Sequence, residues 1–275
     1  MNYYFAPLEG ITGYIYRNTY EKHFGGMSKY FSPFITTNQH FGIQNKEKKD
    51  VAPENNKGIY LVPQIMTNNG EQFRDMAEKM AALGYKEVNI NLGCPSRTVV
   101  TKKKGSGFLA YPEELNNFLD EIFWYCKDME ISLKTRIGME NPEEFMRLME
   151  IYNKYPLKEL IIHPRLQTDY YNNHPNMEAF SYAVEKSKAP LCYNGDLFTV
   201  EDIRNFQKEY PTVENIMLGR GPLKTPTLMK ELAGEERDLN LFYDFLMELC
   251  ELYEKHFSGQ MNVLYKMKEH WYYLF

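Results

Sequence analysis

IYLVPQIMTNNGEQFRDMAEKMAALGYKEVNINLGC, residues Ile59–Cys94, reads as strand, helix, strand. Two β-rich runs, Ile59–Ile65 and Glu87–Asn91, flank GEQFRDMAEKMAALG (Gly70–Gly84), whose apolar residues recur every three or four positions. Asn68-Asn69 before that segment and Gly84 at its end are helix boundary signals. The alternation continues in both directions. Tyr3–Ala6 and Phe34–Thr37 precede it, and Ile131–Thr135, Glu159–His163, Pro190–Tyr193 and Glu214–Gly219 follow, with a second helical pattern at Pro112–Met129. Eight strands alternating with helices over about 230 residues predict a (β/α)8 TIM barrel. An open doubly wound sheet is the alternative, but no GxGxxG follows the first strand.

From about Ala233 the pattern changes to two helices, Asp238–Phe257 and Gly259–Phe275, with no strand between them. The predicted organisation is a barrel domain at 1–232 and a short helical C-terminal domain at 233–275. Gln44–Lys57, rich in Asn, Lys and Glu, is the segment expected to be disordered. The composition of the 275 residues is that of a folded chain, 43% hydrophobic and 25% charged. No apolar run approaches the ~18 residues of a membrane span, and the first residues lack a signal-peptide pattern. Cys94, Cys126, Cys192 and Cys250 form no CxxC pair, so neither zinc nor a disulfide framework is expected, and the compartment read from them is the cytoplasm. A net charge of -5 argues against a general polyanion binder while leaving room for a local basic patch.

In such a barrel, chemistry gathers where strands run out into the following loops. Those positions hold Ala6-Pro7-Leu8-Glu9-Gly10, Gln64, Asn91 with Cys94, Lys134 with Arg136, His163 with Arg165, Asn194-Gly195-Asp196, and Gly219-Arg220-Gly221. Polar or glycine-bearing ends on seven of eight strands exceed what stability requires, and together they make a site. The last two are glycine-rich, as phosphate loops are, with Arg220 as counter-charge; two ordinary turns would read the same way. Lys134 and Arg136 alternate on one strand and share a face, which calls for an anionic ligand or for a salt bridge to Glu9 or Asp196. Cys94 differs from the other cysteines because its loop continues into Lys102-Lys103-Lys104-Gly105-Ser106-Gly107, a basic segment expected to be a flexible flap.

These pieces together resemble the tRNA-dihydrouridine synthase family of flavoproteins. The resemblance is carried by APLEGIT (Ala6–Thr12), PQI (Pro63–Ile65), NINLGCPSRTVVTKKKGSGFL (Asn89–Leu109), LKTRIG (Leu133–Gly138), IIHPR (Ile161–Arg165), YNGDL (Tyr193–Leu197) and MLGRG (Met217–Gly221). It implies FMN in the barrel, NADPH as electron donor, and reduction of a uridine in RNA to 5,6-dihydrouridine, with tRNA ahead of rRNA as substrate. Carried over by position, Ala6, Pro7, Leu8, Gln64, Lys134 and His163 would lie at the flavin ring, and Asn194, Gly195, Asp196, Gly219 and Arg220 at its ribityl phosphate. Cys94 would donate the proton, Asn91 and Arg136 would place the uracil, and Arg165, Lys102, Lys103 and Lys104 would meet RNA. The chain departs from the family pattern at Gly13, where Asp is usual, and at Asp169, where a Gln two residues before a Tyr is usual. Two competing readings are an FMN enzyme acting on a small free pyrimidine, in the manner of dihydroorotate dehydrogenases, and a flavin-binding RNA-interaction protein without turnover.

Overall fold

The computed structural model describes residues 1–36 and 42–274. Nine parallel strands run as β1 (Asn2–Phe5), β2 (Lys29–Phe31), β3 (Leu61–Val62), β4 (Gln64–Ile65), β5 (Glu87–Leu92), β6 (Glu130–Gly138), β7 (Glu159–Leu166), β8 (Leu191–Tyr193) and β9 (Asn215–Leu218). They are ordered β3-β2-β1-β9-β8-β7-β6-β5-β4. The two outermost strands are separated in sequence only by Pro63, so they are halves of one stave and the sheet closes into an eight-staved barrel. Proline has no N–H to give the ladder, which interrupts the stave, but the Pro63 carbonyl still accepts the Asn89 N–H at 2.9 Å.

Every second residue of a strand points inward, so the barrel interior is layered. Tyr4, Phe31, Val62, Ile161, Cys192 and Met217 form an apolar middle layer. Above it stand the polar strand ends. Below it lies a buried polar group: Tyr4 donates to Glu159 at 3.0 Å, Asn215 donates to the same oxygen at 2.6 Å, and Lys29 pairs with Glu87 at 2.8 Å. Burial is the larger influence on Glu159 and pushes its carboxyl up to about 7, although Lys29 pulls the other way. A carboxyl whose folded value is raised contributes its full stability below about 4.3, loses it progressively up to about 7, and stays at the lower plateau beyond. Glu159→Gln keeps an acceptor for Tyr4 and Asn215 and removes the ionisation. The variant should therefore gain ~2–3 kcal/mol on the wild type between pH 4.5 and pH 8. Urea midpoints at the two pH values test this, and a constant difference between the two proteins would show the carboxyl ionised throughout.

The helix predicted in the opening stretch spans Gly70–Ala82. The Asn69 side chain caps it by accepting the Gln72 N–H, and Phe73, Met76, Ala77 and Met80 bury one face against the barrel. Each large side chain so buried contributes roughly 1.5–3 kcal/mol. Two expectations need correction. The second stave is Lys29–Phe31 rather than Phe34–Thr37: Pro33 breaks the run, Ile35 makes one bridge to Ile65, and Thr37 lies outside the described residues. Gln44–Lys57 is ordered, with a helix at Asn45–Val51 and a short turn of helix at Pro53–Asn55. Glu47 accepts the N–H groups of Gln44 (3.1 Å) and Thr36 (3.2 Å), and Asp50 and Val51 are buried. Gly13 opens the helix Tyr14–His23 without a side chain, and Asp50 supplies the missing cap from across the chain, accepting the Tyr14 N–H at 2.7 Å. A carboxylate at position 13 would stand against Asp50, since a Cβ there lies 3.3 Å from its Oδ1.

Helices at Leu239–His256 and Gln260–Leu274 follow the barrel. The first packs Phe245 edge-on against Tyr16 (5.6 Å) and Phe24 (5.0 Å), and the second stacks His270 on Tyr16 at 4.8 Å. Among the described residues no helix is long and apolar enough to cross a membrane, and no cluster of His, Cys, Asp or Glu could hold a metal ion.

Candidate active site

A cavity of about 350 Å³ opens at the carboxyl ends of the strands. It is lined by Ala6, Pro7 and Leu8 after β1, Gln64 on β4, Asn91 and Cys94 at the end of β5, Lys134 and Arg136 on β6, and His163 on β7. Asn194, Gly195 and Asp196 after β8, with Gly219 and Arg220 after β9, complete the ring. Arg165 and Lys102–Lys104 do not line it.

The two cations of β6 differ. Arg136 is buried and gives its three nitrogens to the carbonyls of Gly93 (2.9 Å), Leu166 (2.8 Å) and Tyr170 (2.6 Å), tying the loops after β5 and β7 together. Lys134 makes no hydrogen bond or ion pair among the described residues. The carboxylates that might have neutralised it are engaged elsewhere: Glu9 with Lys46, and Asp196 between Arg165 and Arg220. Burial, reinforced by Arg136, pulls the Lys134 ammonium down to about 8. An ammonium aimed into a cavity without a partner fits a ligand that carries or gathers negative charge.

His163 is buried and accepts the Arg165 Nη1–H at Nε2, 2.9 Å away, because a guanidinium can only donate. Its proton therefore sits on Nδ1. Burial, together with Arg136, Lys134, Arg165 and Arg220, holds the imidazole well below its ordinary pKa, so it stays neutral. A neutral imidazole is a positioning donor and a poor acid.

The Cys94 loop is the reverse of a free flap. A short helix, Arg97–Val100, and a 3-10 turn, Gly105–Ala110, give it regular structure. The Asn91 carboxamide accepts the N–H groups of Gly93 (3.1 Å) and Cys94 (3.0 Å), and Ser106 donates to the Cys94 carbonyl at 2.8 Å. Gly105 stands at φ +54, and a Cβ there would come within 2.8 Å of the Cys94 carbonyl oxygen. Glycine alone suits both constraints. Asn68 reaches over to donate twice, to the carbonyls of Lys102 (3.2 Å) and Lys103 (3.1 Å). Of the three flap lysines, Lys103 is held by Glu114 and lies over Tyr111, whereas the exposed Lys102 and the half-buried Lys104 have no ion-pair partner among the described residues. Burial raises the Cys94 thiol above its ordinary value, so it holds its proton at neutral pH.

Three residues join the site that the sequence reading did not single out. Asn89, two positions before Asn91 on the same face of β5, accepts from Gln64 (2.8 Å) and donates to Ser132 (3.0 Å), which orients Gln64 toward Asn91 (2.6 Å). The alternation in NINLG is the signal that could have found it. Tyr171 lies between the guanidinium carbons of Arg136 (5.6 Å) and Arg220 (5.1 Å). Tyr273, from the last helix, closes one side of the cavity near Arg220 and Tyr171. No local pattern announces either.

A family described as dihydrouridine synthase (Dus) matches residues 4–272. A tRNA-dihydrouridine synthase B from Pasteurella multocida is 25% identical over 92% of this chain and 75% of its own length. A tRNA-dihydrouridine(16) synthase from Pseudomonas syringae pv. tomato is 25% identical, covering 84% and 74%. Among solved structures, morphinone reductase has a TM-score of 0.57 at 13% identity, covering 88% of this chain and 90% of that one. Histamine dehydrogenase from a Rhizobium species has a TM-score of 0.59 at 12% identity, covering 89% and 46%. At such identity the two structures attest the barrel. With the family match running from β1 to the last helix, this chain belongs to the dihydrouridine synthase family.

Proposed function

We propose that the chain reduces the 5,6 double bond of a uridine in tRNA, with FMN in the strand-end cavity and NADPH as electron donor. One observation carries the reading: the unpaired Lys134 ammonium and the protonated Cys94 thiol line the same cavity. The names of the relatives, tRNA-dihydrouridine synthases, support the substrate class.

The residues present fit FMN. Lys134 supplies the positive charge that a reduced ring needs at its electron-rich edge, Gln64 and the backbone of Ala6–Leu8 would hold the ring, and His163 would donate from Nδ1. Asn194 uses its amide N–H on the Met217 carbonyl at 2.8 Å, and Arg220, braced on Asp196, would meet the phosphate. Bound there and reduced, the flavin would be the hydride source for carbon 6 of the uracil. Cys94 would deliver its thiol proton to carbon 5, where enolate character would develop. Asn91 fixes the Cys94 backbone, Arg136 fixes the surrounding loops, and Tyr171 offers an aromatic face to the base. Among the described residues Lys102 and Lys104 have no ion-pair partner, and the exposed Lys102 would be the flap cation to meet a phosphate. Arg165 orients Asp196 and His163 rather than meeting RNA.

The purified protein should be yellow and release FMN on denaturation, and tRNA incubated with it and NADPH should gain two mass units at one uridine. Colourless protein that takes up no FMN on reconstitution would overturn the reading. So would flavin-loaded, NADPH-reduced protein that leaves every uridine unchanged.

A further inference from the structure

A second cavity of about 510 Å³ lies beside the first, between the loop after β1, the helix Asn45–Val51 and the two C-terminal helices. Pro33 lines both cavities, and Glu9 of the first adjoins Gly10 of the second. Its aromatic wall is Tyr14, Tyr253 and Phe257, with His256 edge-on to Phe257 (4.8 Å) and in contact with the Tyr14 hydroxyl (3.2 Å). Three lysines stand at it. Lys46 is paired with Glu9 at 2.9 Å, and Lys266 is held by Glu269 at 3.0 Å and by the Gly10 carbonyl. Lys49 is exposed, and its ammonium has no partner among the described residues. Asp50, the other carboxylate here, is committed to the Tyr14 N–H and to Arg17.

A pocket with aromatic faces, a free cation at its rim and a size suited to one small organic unit has the makings of a nucleotide site. We propose that this cavity receives a nucleotide of the substrate strand flanking the target uridine, its base against Tyr14 and Phe257 and its phosphate toward Lys49. This rests on the RNA reading above and extends it: one strand would place the target base in the strand-end cavity and a neighbour in this one. The continuity of the two cavities at Pro33 and Glu9-Gly10 favours a linked nucleotide over a free effector. The C-terminal helices then act as the outer wall of an RNA subsite.

The test is equilibrium binding of unmodified tRNA to the flavin-loaded protein across a salt series, with Lys49→Ala, Phe257→Leu and Lys158→Ala beside the wild type. Lys158 sits at the opposite end of the barrel, before β7, paired with Glu130. Phe257→Leu should weaken binding by about tenfold through lost stacking. Lys49→Ala should weaken it and flatten the slope of log affinity against log salt by about 0.7–0.9 of a unit. Lys158→Ala should change neither, and its rate of dihydrouridine formation should match wild type. Flavin content confirms folding of each variant. Wild-type binding together with unaltered affinity and slope in Lys49→Ala and Phe257→Leu would overturn the subsite and leave the RNA reading intact. A wild type that binds no tRNA would overturn both.

Discussion

Cys94→Ala should retain its flavin, accept electrons from NADPH at close to the wild-type rate, and form dihydrouridine ~10²–10⁴-fold more slowly in a single turnover, the usual contribution of a positioned general acid. The expectation follows from how the thiol is held. Its backbone is fixed by Asn91 and Ser106 through bonds that do not involve the sulfur, and the substitution gives up only the Ser96 N–H to the thiol, so the loop stays in place. His163, the neighbouring titratable group, is a poor acid here, because burial and four nearby cations keep it neutral. Burial also raises the thiol, so the wild-type rate should begin to fall only above the ordinary thiol value of about 8.5. A purely structural cysteine gives a different result: a small stability loss and equal turnover per flavin-loaded molecule. Equal single-turnover rates would remove Cys94 from the chemistry and leave solvent as the proton source.

The barrel was legible because period-two and period-3.6 patterns alternate cleanly from β1 to β9, and because long apolar runs such as Leu160–Ile162 admit few other readings. Reading the strand ends located the cavity for the same reason: a residue that ends an inward-facing row must point into the mouth of the barrel. The misses share one physical cause, that partners distant in sequence decide them. Asn45–Val51 looks disordered because its stabilising contacts are tertiary, Asp50 to Tyr14 and the Val51 carbonyl to Tyr85 at 2.7 Å. The lysine-rich flap looks mobile because composition does not reveal that Ser106 and Asn68 pin it. Tyr273 enters the cavity from a helix that begins some forty residues after β9, and no spacing rule connects the two. Gly13 shows the converse. At this departure from the family pattern, a carboxylate from another helix supplies the cap that Gly13 has no side chain to give.

Arg165 and Arg220 hold the same carboxylate, and their substitution should separate a structural cation from a ligand-binding one. The Arg165 side chain is 0% exposed, and besides Asp196 it donates to His163 and to the carbonyl of Asn173, at 2.6 Å through Nη2. Removing it breaks a buried network at several points. Arg165→Met should therefore cost about 2–4 kcal/mol, slightly under the usual cost of breaking a fully buried pair because Asp196 keeps Arg220. It also frees His163 Nε2 and removes one of the cations facing the ring, so the imidazole should titrate nearer its ordinary value of about 6.5. Arg220 is partly exposed, and its ion pair contributes at most about 1 kcal/mol to the fold. Arg220→Ala should leave the urea midpoint almost unchanged. Its effect should fall on FMN, whose affinity should drop by roughly 10–100-fold with the loss of a charge-assisted phosphate bond worth about 1.5–3 kcal/mol. Urea titrations and FMN reconstitution of both variants make the comparison. An Arg165→Met protein as stable as wild type, with weakened tRNA affinity, would return Arg165 to the RNA surface. An Arg220→Ala protein that holds FMN as tightly as wild type would place the phosphate elsewhere in the cavity.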